Sequence, residues 1–130
     1  MRSHKPSLVL YVDDEPDIRE IVQMALALEG LEVHLCESGE EALEALPRIK
    51  PDLVLLDVMM PRLDGPGTLE RMRATSELAS IPVVFVTAKA MPQEIKRFKE
   101  LGAAAVIAKP FDPMQLGRQV LSIWEGLRDA

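Results

Sequence analysis

"LVLYVDDEPD", residues 8–17, runs five apolar or aromatic side chains straight into three carboxylates, Asp13, Asp14 and Glu15. A short unbroken run of this kind reads as a strand covered on both faces. The acids that end it repel one another. Two carboxylates about 5 Å apart cost roughly 3 kcal/mol at an effective dielectric near 20. The reading of the rest of the chain turns on what makes that crowding worthwhile.

Further apolar runs lie at 31–36, 53–56, 83–86 and 103–108, and helical period fills the segments between them. Ile18, Ile21, Val22, Ala25 and Leu26 follow an i, i+3, i+4, i+7, i+8 stripe, with Gly30 placed to cap the helix. Ser38 and Glu41 have capping-box spacing ahead of Ala42, Leu43 and Leu46. Pro16, Pro66, Pro92 and Pro113 each suit a first helical turn, and Asp112 suits the N-cap before the last of them. Leu116, Val120, Ile123, Trp124 and Leu127 mark a final helix. No linker, repeat or low-complexity tract interrupts the order. Strand and helix five times over predict a single three-layer α/β domain, doubly wound, with a mostly parallel sheet and right-handed crossovers.

In such a sheet the C-terminal strand ends open onto one edge, where ligands bind. The first strand ends at Asp13 and Asp14, the third at Asp57, the fourth at Thr87 and the fifth at Lys109. The second ends at Cys36 and Glu37 without an obvious candidate, as a strand at the sheet's margin would. Each residue alone has an ordinary explanation: an aspartate after a strand is commonly a cap, and a lysine in a loop is commonly solvated. The set combines carboxylate ligands, a hydroxyl and an ammonium. Oxygen ligands without clustered His or Cys select a hard ion, Mg²⁺ or Mn²⁺. Such an ion beside a spare aspartate suits phosphoryl transfer onto carboxylate, with Lys109 neutralising phosphoryl oxygens and Thr87 donating a hydrogen bond. The crowded acids are thereby read as a metal cradle.

The stretches "VDDEPDIREIV", "PDLVLLDVMMPRLDG", "IPVVFVTAKA" and "LGAAAVIAKPFDP" resemble the receiver domain of two-component response regulators. The resemblance spans about residues 8–128, in the stand-alone form typified by chemotaxis regulators. It implies a flavodoxin-like (βα)5 fold with strand order 2-1-3-4-5, for which receivers are a standard example. It makes Asp57 the phosphoacceptor. Asp14 and Asp57 would bind Mg²⁺ directly, Asp13 through a water, and Met59 by its backbone carbonyl. Thr87 would follow the phosphoryl group, Lys109 would contact it, a cis peptide would join Lys109 to Pro110, and Gly65 would serve the turn after the third strand. The implied partners are a sensor histidine kinase or histidine phosphotransfer protein upstream and a protein target downstream. One departure stands out: receivers usually carry Tyr or Phe three residues before the lysine, and this chain has Val106. Met59 and Lys89 flank the route of an attacking water without a carboxylate or amide at residue 59, so slow self-hydrolysis is expected.

Other residues have plainer readings. His4 and His34 lack ligand-spaced partners and are expected in solvent, Cys36 as a small core residue, Met59 and Met60 as loop packing, Met91 and Met114 at helix starts, and Trp124 in the core. With 15 Lys+Arg against 21 Asp+Glu, the net charge of −6 argues against nucleic acid or an anionic membrane as direct partner. A single cysteine excludes an internal disulfide, and no signal peptide or spanning segment is visible. The expectation is a soluble cytoplasmic monomer, or a dimer formed on phosphorylation, that is a switch rather than an enzyme in the ordinary sense. A receiver cut from a hybrid kinase or larger regulator is the alternative. A dehalogenase-type phosphatase would want a second aspartate where Met59 stands, and a flavodoxin-like nucleotide binder would want a phosphate loop where "DDEPD" repels phosphate.

Overall fold

The apolar runs become five parallel strands, each followed by a helix. In the computed structural model, which describes residues 5–128 (the Arg128 side chain excepted), the order is β1 (Val9–Val12), α1 (Pro16–Ala27), β2 (Val33–Cys36), α2 (Gly39–Ile49), β3 (Leu53–Asp57), α3 (Gly65–Ala74), β4 (Val83–Thr87), α4 (Pro92–Glu100), β5 (Ala105–Ala108) and α5 (Pro113–Arg128). The sheet order is β2-β1-β3-β4-β5, all parallel. His4 lies outside the described residues.

Strand alternation sorts the core into two layers. Val9, Tyr11, Leu53, Leu55, Val84, Val86 and Ile107 pack with Val22 and Leu26 of α1 and with Leu116, Val120 and Trp124 of α5. Leu10, Val12, Val54, Leu56, Val83 and Phe85 face the opposite way, onto Ala42 and Leu46 of α2, Leu69 and Met72 of α3, and Phe98 of α4. Phe85 and Phe98 meet edge to face with ring centroids 5.1 Å apart. Val106, opposite Phe85 in the β4–β5 register, is partly buried against that second layer.

The helix ends follow local chemistry. Prolines stand in the first turns of α1, α3, α4 and α5 as expected. The Asp112 carboxylate accepts from the Met114 N–H at 2.9 Å. Gly30, at φ 74°, closes α1 with Gly30 N–H to Ala27 C=O and Leu31 N–H to Leu26 C=O, a Schellman arrangement. Ser38 caps α2 by accepting from Glu41 N–H, but Glu41 reaches back to the Glu37 N–H, so the capping box is displaced by one residue. Pro47 in the last turn of α2 was not foreseen. Lacking an N–H, it leaves the Leu43 carbonyl without its usual helical donor.

Three expectations on exposure need correction. Ile21 is 38% exposed and not part of the core stripe; it lines an open apolar pocket of about 380 Å³ with Ile18, Pro110 and Phe111. His34 is half-buried in β2 rather than solvated, because β2 lies under α1 and α2 at the sheet margin. Met59 stands 63% exposed while Met60 is buried, so only the second packs the loop.

An unplanned clamp holds the end of the sheet remote from the acids. The Arg73 guanidinium donates to the carbonyls of Ala79, Ile81 and Gly102, tying α3 to the entry of β4 and the entry of β5.

Candidate functional site

β1 and β3 are central and adjacent, so Asp13 and Asp57 leave the sheet side by side. Asp13 is fully buried, Asp57 is 3% exposed, and Asp14 turns outward to solvent. One carboxylate oxygen from each of Asp13, Asp14 and Asp57 lies within 4.8 Å of the others. Lys109, beyond β5, crosses β4 and β3 to donate to Asp13 Oδ2 at 2.9 Å and to pair with Asp57 Oδ1 at 3.3 Å. The peptide between Lys109 and Pro110 is cis.

Asp13 is held from every side. Its Oδ1 accepts the Glu15 N–H at 3.0 Å, its Oδ2 accepts the Tyr11 O–H at 2.7 Å as well as Lys109, and its backbone carbonyl accepts Arg19 at 2.7 Å. Tyr11 and Arg19 were not singled out from the sequence. The signal for Tyr11 was present, since residues 11 and 13 share a face of the strand. Arg19 needed the orientation of α1.

Burial and the Asp13 charge push the Asp57 carboxyl up to about 6, against the opposing pull of Lys109 and of the Met59 N–H. Burial alone would lower the Lys109 ammonium, but the hydrogen bonds and charges of Asp13 and Asp57 outweigh it and hold it above its ordinary value. Burial, reinforced by Asp13, pushes the Tyr11 phenol far up, so it is a neutral donor. Burial also pushes the Cys36 thiol up to about 12, in keeping with an inert core residue.

Thr87 is 1% exposed at the end of β4, one residue beyond the Asp57–Val86 register pair, and its hydroxyl accepts the Lys89 N–H at 3.0 Å. It is thereby tied to the loop that leads into α4. Gly65 opens α3 where a Cβ would meet Asp57 O at 2.7 Å and Val58 Cα at 2.8 Å, so the helix start lies directly on the end of β3. From there a groove of about 760 Å³ runs between α3 and α4, lined by Met59, Lys89, Gln93, Arg97 and Phe98 among others.

The donor set fits Mg²⁺. Three carboxyl groups face one ammonium, which leaves a local negative excess, and all the side-chain ligands are hard oxygens on one edge. The residues that would hold the ion are Asp13, Asp14 and Asp57.

A parallel sheet of this order, with a buried aspartate, a metal-type acid cluster and a paired lysine at its C-terminal edge, defines a doubly wound α/β domain with an acidic site at its ligand-binding edge. The comparisons name it more closely: a sequence model described as the response regulator receiver domain matches residues 9–121, and the chain belongs to that family. It is 40% identical over 113 residues to the Response regulator Rre1 of Synechocystis sp., covering 86% of this chain and 49% of that protein. It is likewise 40% identical over 115 residues to the "Probable transcriptional regulator ycf27" of Cyanophora paradoxa, covering 88% and 47% respectively. The chain thus spans about half the length of these curated relatives. Among solved structures, the chemotaxis response regulator CheY4 of Vibrio cholerae superposes with a TM-score of 0.83 at 30% identity, covering 90% of this chain and 98% of that one. A receiver domain of a signal transduction histidine kinase from Syntrophus aciditrophicus gives 0.80 at 29% identity, covering 95% and 94%. The chain is therefore a receiver domain of the two-component kind, with the fold the resemblance implied. The transcriptional role in one relative's name stands against excluding nucleic acid for whole proteins of this type, and the charge argument is confined to this domain's own surface. No helix among the described residues is long and apolar enough to cross a membrane.

Proposed function

We propose that this domain is a phosphoacceptor switch in which Asp57 takes a phosphoryl group from the phosphohistidine of a sensor kinase or a histidine phosphotransfer protein. The observation that carries the reading is the Asp57 carboxylate, nearly buried at the end of the central strand, 3.3 Å from Lys109 and grouped with two further carboxylates. An Asp57 oxygen attacks phosphorus, the P–N bond breaks, the imidazole leaves with the electron pair, and an acyl phosphate remains. Lys109 neutralises the phosphoryl oxygens, and Thr87 donates its hydroxyl to one of them. Bound Mg²⁺ supplies charge neutralisation between the acids and the phosphoryl group. Asp14, Asp57 and the Met59 carbonyl would hold it directly and Asp13 through a water. The phosphorylated domain then changes its affinity for a protein target. The domain works in the cytoplasm, as a monomer or a phosphorylation-dependent dimer.

The test is incubation with Mg²⁺ and acetyl phosphate, read by intact mass. The natural chain is expected to gain one phosphoryl group and Asp57→Asn none, because an amide is not a nucleophile here. Equal gain in the two chains overturns the assignment.

A further inference from the structure

Tyr11 is the sole tyrosine of the chain and is 1% exposed. Its ring is packed in the layer of Val22, Leu26 and Trp124, and its hydroxyl donates to Asp13 Oδ2 at 2.7 Å. Lys109 Nζ donates to the same oxygen at 2.9 Å and lies 3.3 Å from Asp57 Oδ1. One buried oxygen therefore has two side-chain donors of different kinds. The lysine is cationic and on a flexible stem, while the tyrosine is neutral and fixed by packing.

A phosphoryl group on Asp57 brings up to about two negative charges within reach of Lys109 and draws its ammonium off Asp13. Asp13 is fully buried, and a buried carboxylate that loses its cation is costly unless other donors remain. The Tyr11 hydroxyl cannot follow the phosphoryl group, because its ring is held in the core. We propose that Tyr11 is a positioning residue: beside the Glu15 N–H on Oδ1, its hydroxyl is the fixed donor that keeps Asp13 Oδ2 in place while Lys109 exchanges that oxygen for the phosphoryl group. This inference rests on the phosphoacceptor reading above and goes beyond it. It assigns to a core tyrosine the release of the lysine.

The experiment compares the natural chain with Tyr11→Phe, which keeps the ring and removes the hydroxyl. Titration calorimetry measures Mg²⁺ alone, and then beryllofluoride, a tetrahedral stand-in for phosphoryl on a carboxylate, at saturating Mg²⁺. The variant is expected to lose about tenfold in beryllofluoride affinity, while its Mg²⁺ affinity stays within about threefold of the natural chain. A merely structural tyrosine would leave both affinities alone or weaken both in parallel, and either result overturns the proposal. The natural chain provides a second measurement that does not depend on the variant folding. With ζ-¹³C-tyrosine it gives a single ring signal, expected to move when beryllofluoride joins Mg²⁺. A signal that Mg²⁺ moves and beryllofluoride does not move further overturns the proposal while leaving the phosphoacceptor reading intact. A natural chain that neither binds beryllofluoride nor gains phosphoryl removes that reading and this inference with it.

Discussion

Asp57 is shaped by opposing influences on one carboxyl. Burial and Asp13 raise it from 3.8 to about 6, while Lys109 restrains the rise. Between those two values the folded chain keeps a proton that the unfolded chain has shed. Stability therefore falls as pH rises through the window, and the loss is complete above about 6. Asp57→Asn removes the liability. In metal-free buffer the variant is expected to be more stable than the natural chain at about pH 7.5, by on the order of 2 kcal/mol, with the advantage gone below about pH 4. Urea denaturation across that range measures it. Equal stability at the higher pH contradicts the assigned environment. Mg²⁺ should narrow the difference, because a bound cation relieves the same repulsion that the amide removes.

At the scale of the element, the junction of β3 with α3 is the tightest part of the site. A Cβ at Gly65 would stand 2.7 Å from Asp57 O and 2.8 Å from Val58 Cα, and backbone atoms of a central strand cannot move aside cheaply. Gly65→Ala is expected to cost about 1–3 kcal/mol and to slow phosphorylation by acetyl phosphate, since the strain falls on the residue that carries the nucleophile. Gly126 in α5 is the contrast, with nothing within 4 Å of its would-be Cβ. Gly126→Ala should add about 0.5–1 kcal/mol and leave phosphorylation unchanged. Denaturation midpoints and phosphorylation rates of the two variants give the comparison. A Gly65→Ala chain as stable and as fast as the natural one would show that the helix start is free to move.

At the scale of the whole molecule, the question is how the acid edge reaches a distant surface. Thr87 is tied through its hydroxyl to Lys89, at the start of the segment that leads into α4. Val106 is short and β-branched, with a stiff χ1, and it packs beside the Phe85–Phe98 pair. A side chain of that kind cannot swing to fill space under the loop. The expected route is movement of residues 87–91, drawn by Thr87 as its hydroxyl turns to the phosphoryl group. A population shift can be no larger than the differential contacts that the group makes. Methyl and amide NMR with Mg²⁺ and beryllofluoride should show large shifts at the amides of Ala88 to Met91 and no rotamer change at Val106. Thr87→Ala should remove those shifts while still accepting phosphoryl. A Val106 rotamer switch with a still loop would contradict this route.

The amino-acid sequence by itself determined the alternation of five strands and five helices and the polar residues that end four of the strands. Both are properties of near neighbours: apolar period, proline and cap positions, and the point where a buried run stops. Gathering Asp13, Asp14, Asp57 and Lys109 at one edge followed from the parallel order alone. The tertiary structure decided which atoms meet. Lys109 and Asp13 are 96 residues apart, and their shared oxygen depends on the register of β1, β3, β4 and β5 together. The Tyr11 hydroxyl found Asp13 because the first strand points residues 11 and 13 the same way, into a layer whose depth only α1 and α5 set. Ile21 left the core stripe and Gly65 came to lie on Asp57 O for the same reason. Helical period says which side of a helix is apolar, but the packing of that helix against its neighbours decides how much of the side is covered.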